Sequence, residues 1–345
     1  MKLAIALTLA SVVAVGSAAI AQPPRVVNGR VDAQAAGNRG LEQTVRSIAA
    51  AATGGAWIGY TVAGRAGQES HCWSDSHGKT QKNTDDVIVM SPVHLEGSGM
   101  LDVLLRVEAG QVERIRILPT DCELDTGGLT LHWINDVNPA QSVALLTTFV
   151  SRLDDRQDHV RDNAITAIAL HGDDSADSAL ETFAAPGQAE EVRKKAVFWL
   201  GQARGRRGFQ TVQRIAREDA SDAVRKSAIF SLSQSSEPEA VPALIQLARE
   251  DRSAQVRGEA IFWLAQKAGR QAAEAITERI EQDPDTQVKK RAVFALSQLP
   301  KDEGVPLLIQ VARTNRNPAV RKQAMFWLGQ SKDPRALEFF AEILK

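Results

Sequence analysis

The sequence predicts an α-solenoid of helix pairs preceded by a small, disulfide-stapled β-rich domain, and three observations carry that prediction. A phrase beginning Val-Arg returns every 32 residues, at Val192, Val224, Val256, Val288 (where lysine replaces the arginine) and Val320, with a degenerate copy at Val160 that keeps the alanine and the apolar spacing but loses the Phe and the Gln. A fixed period of this length is the mark of stacked supersecondary units, none of which can bury its apolar face alone. Ahead of it, residues 57–134 show strand-like alternation, and at Asn138-Pro139 the periodicity turns helical and stays so.

The chain has 345 residues, 43% hydrophobic and 24% charged, with a formal net charge of −1. That composition supplies a core and more than one domain, and gives no electrostatic footprint for nucleic acid. Met1-Lys2-Leu3, an apolar run from Ala4 to Val15 and Ser17-Ala18-Ala19-Ile20-Ala21 have the order of a secretory signal peptide over 1–21, cut after Ala21. The apolar run is shorter than the roughly 20 residues a bilayer requires, so no transmembrane segment is expected. The protein is therefore expected to be exported, to the periplasm or beyond.

Residues 22–40 are rich in Pro, Gly, Asn and Ala and read as a flexible tether. Leu41 to Ala52 is a short helix. Strands follow at Trp57–Val62, Val87–Met90, Val103–Val107, Val112–Leu118 and Leu129–Ile134, and Glu108-Ala109-Gly110-Gln111 joins the third and fourth as an antiparallel hairpin. The chain's two cysteines, Cys72 and Cys122, both lie in this β-rich domain of 41–136 and are expected to form a disulfide, worth about 4 kcal/mol on the chain-entropy account.

From 138 to 345 each unit supplies two helices. The first is exemplified by Val241 to Ala248 and the second begins at the Val-Arg phrase; the connections, such as Arg249 to Ser253 and Glu281 to Asp285, offer Asp as a helix cap. Second helices of the form Val-Arg-x-x-Ala-x-x-x-Leu-Gly resemble the short bacterial HEAT repeats of the phycobilisome-lyase-like group, over residues 160–345 with 138–159 as the first helix of a weak opening repeat. The resemblance implies about six repeats, with the second helices lining the concave side. The last unit, Pro334 to Lys345, holds a first helix only, with Glu338, Glu342 and Lys345 suited to a solvent-facing cap.

At about 100° per residue from the valine, the repeated Val, Ala and Leu define the core arc, and the residue six positions on lies at its opposite pole. That residue is Phe198, Phe230, Phe262, Phe294 and Phe326; beside it run Lys194, Lys226, Lys290 and Lys322, with Gly258 the exception, and Gln202, Gln234, Gln266, Gln298 and Gln330. In typical short repeats of this kind the phenylalanine position is polar. A recurrent exposed aromatic is the usual sign of an interaction surface; the alternative is that each ring tilts sideways onto the neighbouring second helix. Arg193, Arg225, Arg257, Lys289 and Arg321 read as a structural ladder paired with acids such as Glu190, Glu191, Asp222, Asp251 and Asp285. The next row alternates Trp199, Ser231, Trp263, Ala295 and Trp327, a super-period of two repeats fitted to packing between repeats.

These rows predict a non-enzymatic protein-binding scaffold that captures a protein segment in its groove: phenylalanine desolvates, glutamine bonds a backbone and lysine selects acidic flanks. No cofactor is expected, since Gly54-Gly55-Ala56 and Glu96-Gly97-Ser98-Gly99 read as turns. The alternative is an envelope enzyme, metal-dependent or hydrolytic, using His71, Cys72, Asp75, His77, His94, Asp121 or His132 of the β domain. A lyase or di-iron oxidoreductase, as in other HEAT-repeat proteins, is disfavoured by export for the first and by the absence of any His-Glu dipeptide for the second; the solenoid offers only His159 and His171.

Overall fold

The computed structural model describes residues 23–37, 39–65, 72, 99–151 and 158–344. The β strands are β1 (Val26–Val27), β2 (Arg30–Ala35), β3 (Ala56–Ala63), β4 (Met100–Glu108), β5 (Gln111–Pro119), β6 (Leu124–Asp125) and β7 (Thr130–Asn135), with helix α1 (Leu41–Ala51) between β2 and β3. Five of them form one sheet in the order β2-β7-β3-β4-β5; β2 and β3 both run parallel to β7, and β3, β4 and β5 are successively antiparallel. The hairpin expected at 108–111 is present. Glu108 pairs with Gln111 across Ala109 and Gly110, both at positive φ, which is the handedness a two-residue turn needs to match strand twist.

One expectation for the N-terminal region changes. The described part of the expected tether is largely strand: β1 pairs with β6, and β2 pairs along its whole length with β7. β2 is an edge strand held by backbone hydrogen bonds, with nearly every side chain in solvent, so it needs no apolar alternation and shows none. The strand expected at Val87–Met90, like the signal peptide, lies outside the described residues. Cys72 and Cys122 stand as a disulfide pair with Cα atoms 5.6 Å apart.

The sheet has a core on each face. Leu104, Cys122, Leu124, Leu131 and Trp133 close one side. On the other, Ile58, Tyr60, Val62, Val103 and Leu105 join α1 in a cluster that runs without a break into the helices beyond. Those helices are α2 (Pro139–Val150), α3 (Asp158–Leu170), α4 (Ser175–Phe183), α5 (Glu190–Ala203), α6 (Gly205–Glu218), α7 (Asp222–Gln234), α8 (Ala240–Glu250), α9 (Ala254–Ala268), α10 (Ala273–Gln282), α11 (Thr286–Ser297), α12 (Lys301–Thr314), α13 (Pro318–Ser331) and α14 (Pro334–Ile343). They form six successive pairs and a single last helix. Glu338 and Glu342 of that helix are exposed, but so are Leu337 and Leu344.

The joint between sheet and solenoid is polar at its centre. Leu170 and Gly172 extend β3 through backbone bonds with Arg65 and Ala63. Beneath them Tyr60, Ser142 and His171 are fully buried and linked, Tyr60 to Ser142 at 2.9 Å and Ser142 to His171 Nε2 at 2.8 Å. His171 Nδ1 donates to the Ala167 carbonyl at 2.7 Å, which leaves Nε2 of a neutral ring to accept from Ser142. Burial holds the imidazole below its ordinary pKa, in keeping with that neutral form. Next to it the buried Arg204 pairs with Asp177 and donates to the His171 carbonyl at 2.7 Å.

The solenoid's register comes from the arginine ladder. Arg225 is wholly buried and grips Asp251 through two bonds of 2.9 Å, while its remaining nitrogen donates to the Asp219 carbonyl of its own repeat at 2.8 Å. Arg257 repeats this on Asp283 at 2.7 and 2.9 Å, and Arg193 binds Asp219 at 2.6 Å. Each aspartate also accepts from the backbone N–H two residues on, which sets the turn into the next second helix. Burial opposes its charge, yet Arg257 holds the Asp283 carboxyl below the usual carboxylate range. The ladder is thus present, with partners Asp219, Asp251 and Asp283 rather than most of the acids expected: Glu190 accepts from Ser221, Glu191 pairs with Lys194, and Asp285 caps α11. Of the expected acids, Asp251 is a rung, and Asp222 adds a second bond to Arg225 at 2.8 Å.

The next rung is changed on both sides, because Lys289 stands where arginine is expected and Asn315 where aspartate is. Lys289 turns instead to the Glu281 carbonyl at 2.7 Å. Restoring the rung with Lys289→Arg and Asn315→Asp together is expected to raise stability by about 1–3 kcal/mol, with each single change giving less than half of that; urea denaturation of the four proteins in a double-mutant cycle measures it, and additive single effects would show that the rung does not form.

Candidate functional site

Neighbouring second helices α5, α7, α9, α11 and α13 pack along one another, while neighbouring first helices touch at only a few points. The stack is therefore tighter on the second-helix side, and that side is concave. The buried Val, Ala and Leu of each second helix face inward to the core. The opposite face of these helices carries the Phe, Lys and Gln side chains.

The phenylalanines are neither freely exposed nor lost in the core. Phe198, Phe230, Phe262 and Phe294 are half-buried, and Phe326 is 53% exposed. The rings of Phe198, Phe230, Phe262 and Phe294 each meet a ring of an adjacent repeat, so the two alternatives left by the sequence combine. Phe198 and Phe230 lie parallel with centroids 6.2 Å apart, and Phe262 and Phe294 repeat the arrangement at 6.2 Å. Between these pairs stands Trp263, 4.9 Å from Phe230 and 5.0 Å from Phe262. Trp327 likewise joins Phe294 at 4.9 Å to Phe326 at 5.0 Å, and Trp199 abuts Phe198 at 5.2 Å. Eight rings thus run in series along the groove, each contact worth roughly 0.5–1.5 kcal/mol beyond burial.

The alternation of large and small residues explains the pattern. Ser231 is buried against α5, where a Cβ added to Gly201 would fall 2.7 Å from the Ser231 Cβ; this close approach brings two phenylalanines side by side. Where tryptophan occupies the same position it separates them. The Trp263 indole N–H donates to Glu259 at 2.8 Å, whereas the indole nitrogens of Trp199 and Trp327 are buried without a hydrogen-bond partner among the described residues.

The glutamines Gln202, Gln234, Gln266, Gln298 and Gln330 are all exposed. Among the described residues, only Gln234 and Gln298 have intramolecular side-chain bonds, to Ser233 and Ser297. Of the lysines, Lys194 is paired with Glu191 at 3.0 Å, while Lys226, Lys290 and Lys322 make no ion pair among the described residues. At the N-terminal end of this face a cavity of about 310 Å³ is lined by Asp158, Arg161, Asp162, Glu191, Lys194, Lys195 and Phe198, where positive and negative groups offset one another.

The β-domain residues do not assemble a catalytic set among the described residues. His71, Asp75, His77 and His94 lie outside them. Asp121 is close to both cysteine sulfurs, but these are bonded to each other and offer no thiolate ligand. His132 faces Asp32 at 3.4 Å on the edge of the sheet, and His159 Nε2 bonds the Glu113 carbonyl at 2.7 Å.

One group was missed from sequence. Asp102 is buried on β4 and accepts from Thr61 at 2.7 Å; its single polar side chain within Leu101-Asp102-Val103-Leu104-Leu105 is the signal that could have found it. Burial raises its carboxyl to about 6, against the opposing Thr61 hydrogen bond and with a contribution from Asp121.

The family model for HEAT repeats matches residues 184–265 and 273–345. This segment is built of HEAT repeats. No curated protein matches the chain. Among solved structures, this chain is similar to human deoxyhypusine hydroxylase, at 18% identity over 56% of this chain and 76% of that one, with a TM-score of 0.32. The complex of CpcE and CpcF of phycocyanin lyase from Nostoc is 22% identical over 44% of this chain and 98% of that one, with a TM-score of 0.34. Kap95p in complex with RanGDP is 18% identical over 60% of this chain and 32% of that one, with a TM-score of 0.41.

The Asp102 shift makes stability pH-dependent with a definite sign. A carboxyl that stays protonated in the folded chain up to about pH 6, but ionises near 4 when unfolded, costs stability as pH rises between those values. Asp102→Asn is expected to raise stability at pH 7 by about 1–3 kcal/mol, with the gain vanishing by pH 4; thermal melts across that range check it, and a pH-independent difference would contradict it.

Proposed function

We propose that the protein is a non-enzymatic scaffold of the bacterial envelope that captures a protein segment in the concave groove of its HEAT repeats. The observation that carries this reading is the unbroken series of eight rings, half-buried against one another yet still open to the groove, flanked by a row of exposed primary amides. Rings that lean on neighbours are already ordered, so a partner that covers them removes apolar surface from water without ordering cost at those side chains. Amides on both sides of a peptide bond's hydrogen-bonding capacity suit the glutamines, since each can donate and accept. HEAT repeats as an architecture support protein binding, and no described helix is long and apolar enough to cross a membrane.

Photo-crosslinking tests the groove. A benzophenone amino acid at Gln234 or Gln298 is expected to give protein adducts in intact cells, while the same group at the exposed Gln210 on α6, the convex side, gives none. Adducts from Gln210 alone, or from all three positions alike, would remove the groove from the mechanism.

The envelope assignment rests on the first 21 residues, whose basic start, apolar centre and Ala-x-Ala end fit a cleaved signal. N-terminal sequencing of the protein from the periplasmic fraction is expected to begin at Gln22; recovery of a chain starting at Met1 from the cytosol would contradict export.

A further inference from the structure

The charge of the groove is uneven along its length, and the structure shows where. At the N-terminal end the cations are neutralised: Lys194 pairs with Glu191 at 3.0 Å and Lys195 with Asp162 at 3.5 Å. Beyond α7 the acids thin out. The first turn of α5 holds Glu190 and Glu191 and that of α7 holds Asp222, but α9, α11 and α13 have no acidic residue there. Lys226, Lys290 and Lys322 are left without ion pairs among the described residues.

The gap in the lysine row at Gly258 is filled from the next repeat. A Cβ at Gly258 would lie 2.6 Å from Cδ and 2.7 Å from Nη1 of Arg291, so the Arg291 side chain occupies the space above the glycine. Its guanidinium reaches the Gln255 carbonyl at 3.3 Å and forms no ion pair among the described residues. From α7 to α13 the second helices therefore carry four cations without ion pairs among the described residues, against two acids that are already engaged, Asp222 by Arg225 and Glu259 by Trp263.

We infer that this stretch takes an extended acidic peptide segment that carries apolar side chains, a refinement that rests on the scaffold reading above. The cations select the acidic residues, the rings from Phe230 to Phe326 cover the apolar ones, and Gln234, Gln266, Gln298 and Gln330 meet the backbone. Three interhelical spacings of 8–10 Å span about 25–30 Å, the length of roughly eight extended residues. A peptide is favoured over an acidic sugar chain because Trp263 and Trp327 are each wedged between two phenylalanines, so neither presents the open face on which a sugar ring would stack.

Fluorescence anisotropy with labelled 12-residue peptides tests this on the full mature chain. A Glu-Leu alternating peptide is expected to bind at least tenfold tighter than its Lys-Leu counterpart at 50 mM NaCl, and the preference is expected to reverse in Lys226→Glu/Lys290→Glu/Lys322→Glu, whose exchanged side chains are half-buried or exposed and make no ion pair among the described residues. Equal binding of both peptides, or an unchanged order in the triple variant, overturns the acidic preference and leaves the groove standing. Binding of neither peptide to folded protein overturns the scaffold reading together with this one. Oligogalacturonate or polyglutamate binding as tightly as the Glu-Leu peptide shows a bare polyanion site and overturns the role given to the apolar side chains.

Discussion

The pairing of a buried arginine in one repeat with an aspartate in the next is the contact on which the rest of the solenoid depends. Arg225 and Arg257 each hold two loops at once, the carbonyl of their own repeat and the carboxylate of the following one. A buried guanidinium is tolerable only when its donors are satisfied, so the geometry admits little slippage, and removing one partner would strand a charge at a cost of about 3–5 kcal/mol. That constraint sets the rise and rotation from one second helix to the next. Every groove residue is then carried into line by the same operation, which is why one position of the repeat becomes one row.

The aromatic series shows what the constraint permits. With the helices held in register, the residue next to each phenylalanine decides whether two rings lie side by side or are parted by an indole. The groove is thereby patterned with a unit of two repeats although the backbone has a unit of one. The ring contacts also join each repeat to the next on this side, as the ion pairs do at the loops, so the aromatic row contributes to the stacking itself.

At its N-terminal end the solenoid needs a cap, because the first repeat would otherwise expose an apolar face. The β domain serves in that place. Its sheet and α1 share one continuous apolar cluster with α2 and α3, and the Tyr60–Ser142–His171 chain fixes their orientation with fully buried hydrogen bonds. The two sequence-defined regions thus share one apolar core. At the other end α14 leaves Leu337 and Leu344 in solvent.

The period of 32, the helix pairs, the hairpin at Ala109-Gly110 and the cysteine pairing were all legible in the sequence, since each depends on local periodicity, turn chemistry or composition. The same holds for the identity of the groove rows, because a helical wheel needs no knowledge of the neighbours. What the wheel cannot supply is the direction in which a side chain leaves the helix, and so the half-burial of the phenylalanines and the wedging of the tryptophans came only from the stacked helices. Strand β2 was invisible because an exposed edge strand is made by backbone bonds. Arg291 was hidden for a related reason: its place over Gly258 depends on contact across repeats, and no residue in either helix alone records that contact. Sequence by itself determined which residues share a face; tertiary packing decided how far each is open to a partner and where the charge on that face is left uncompensated.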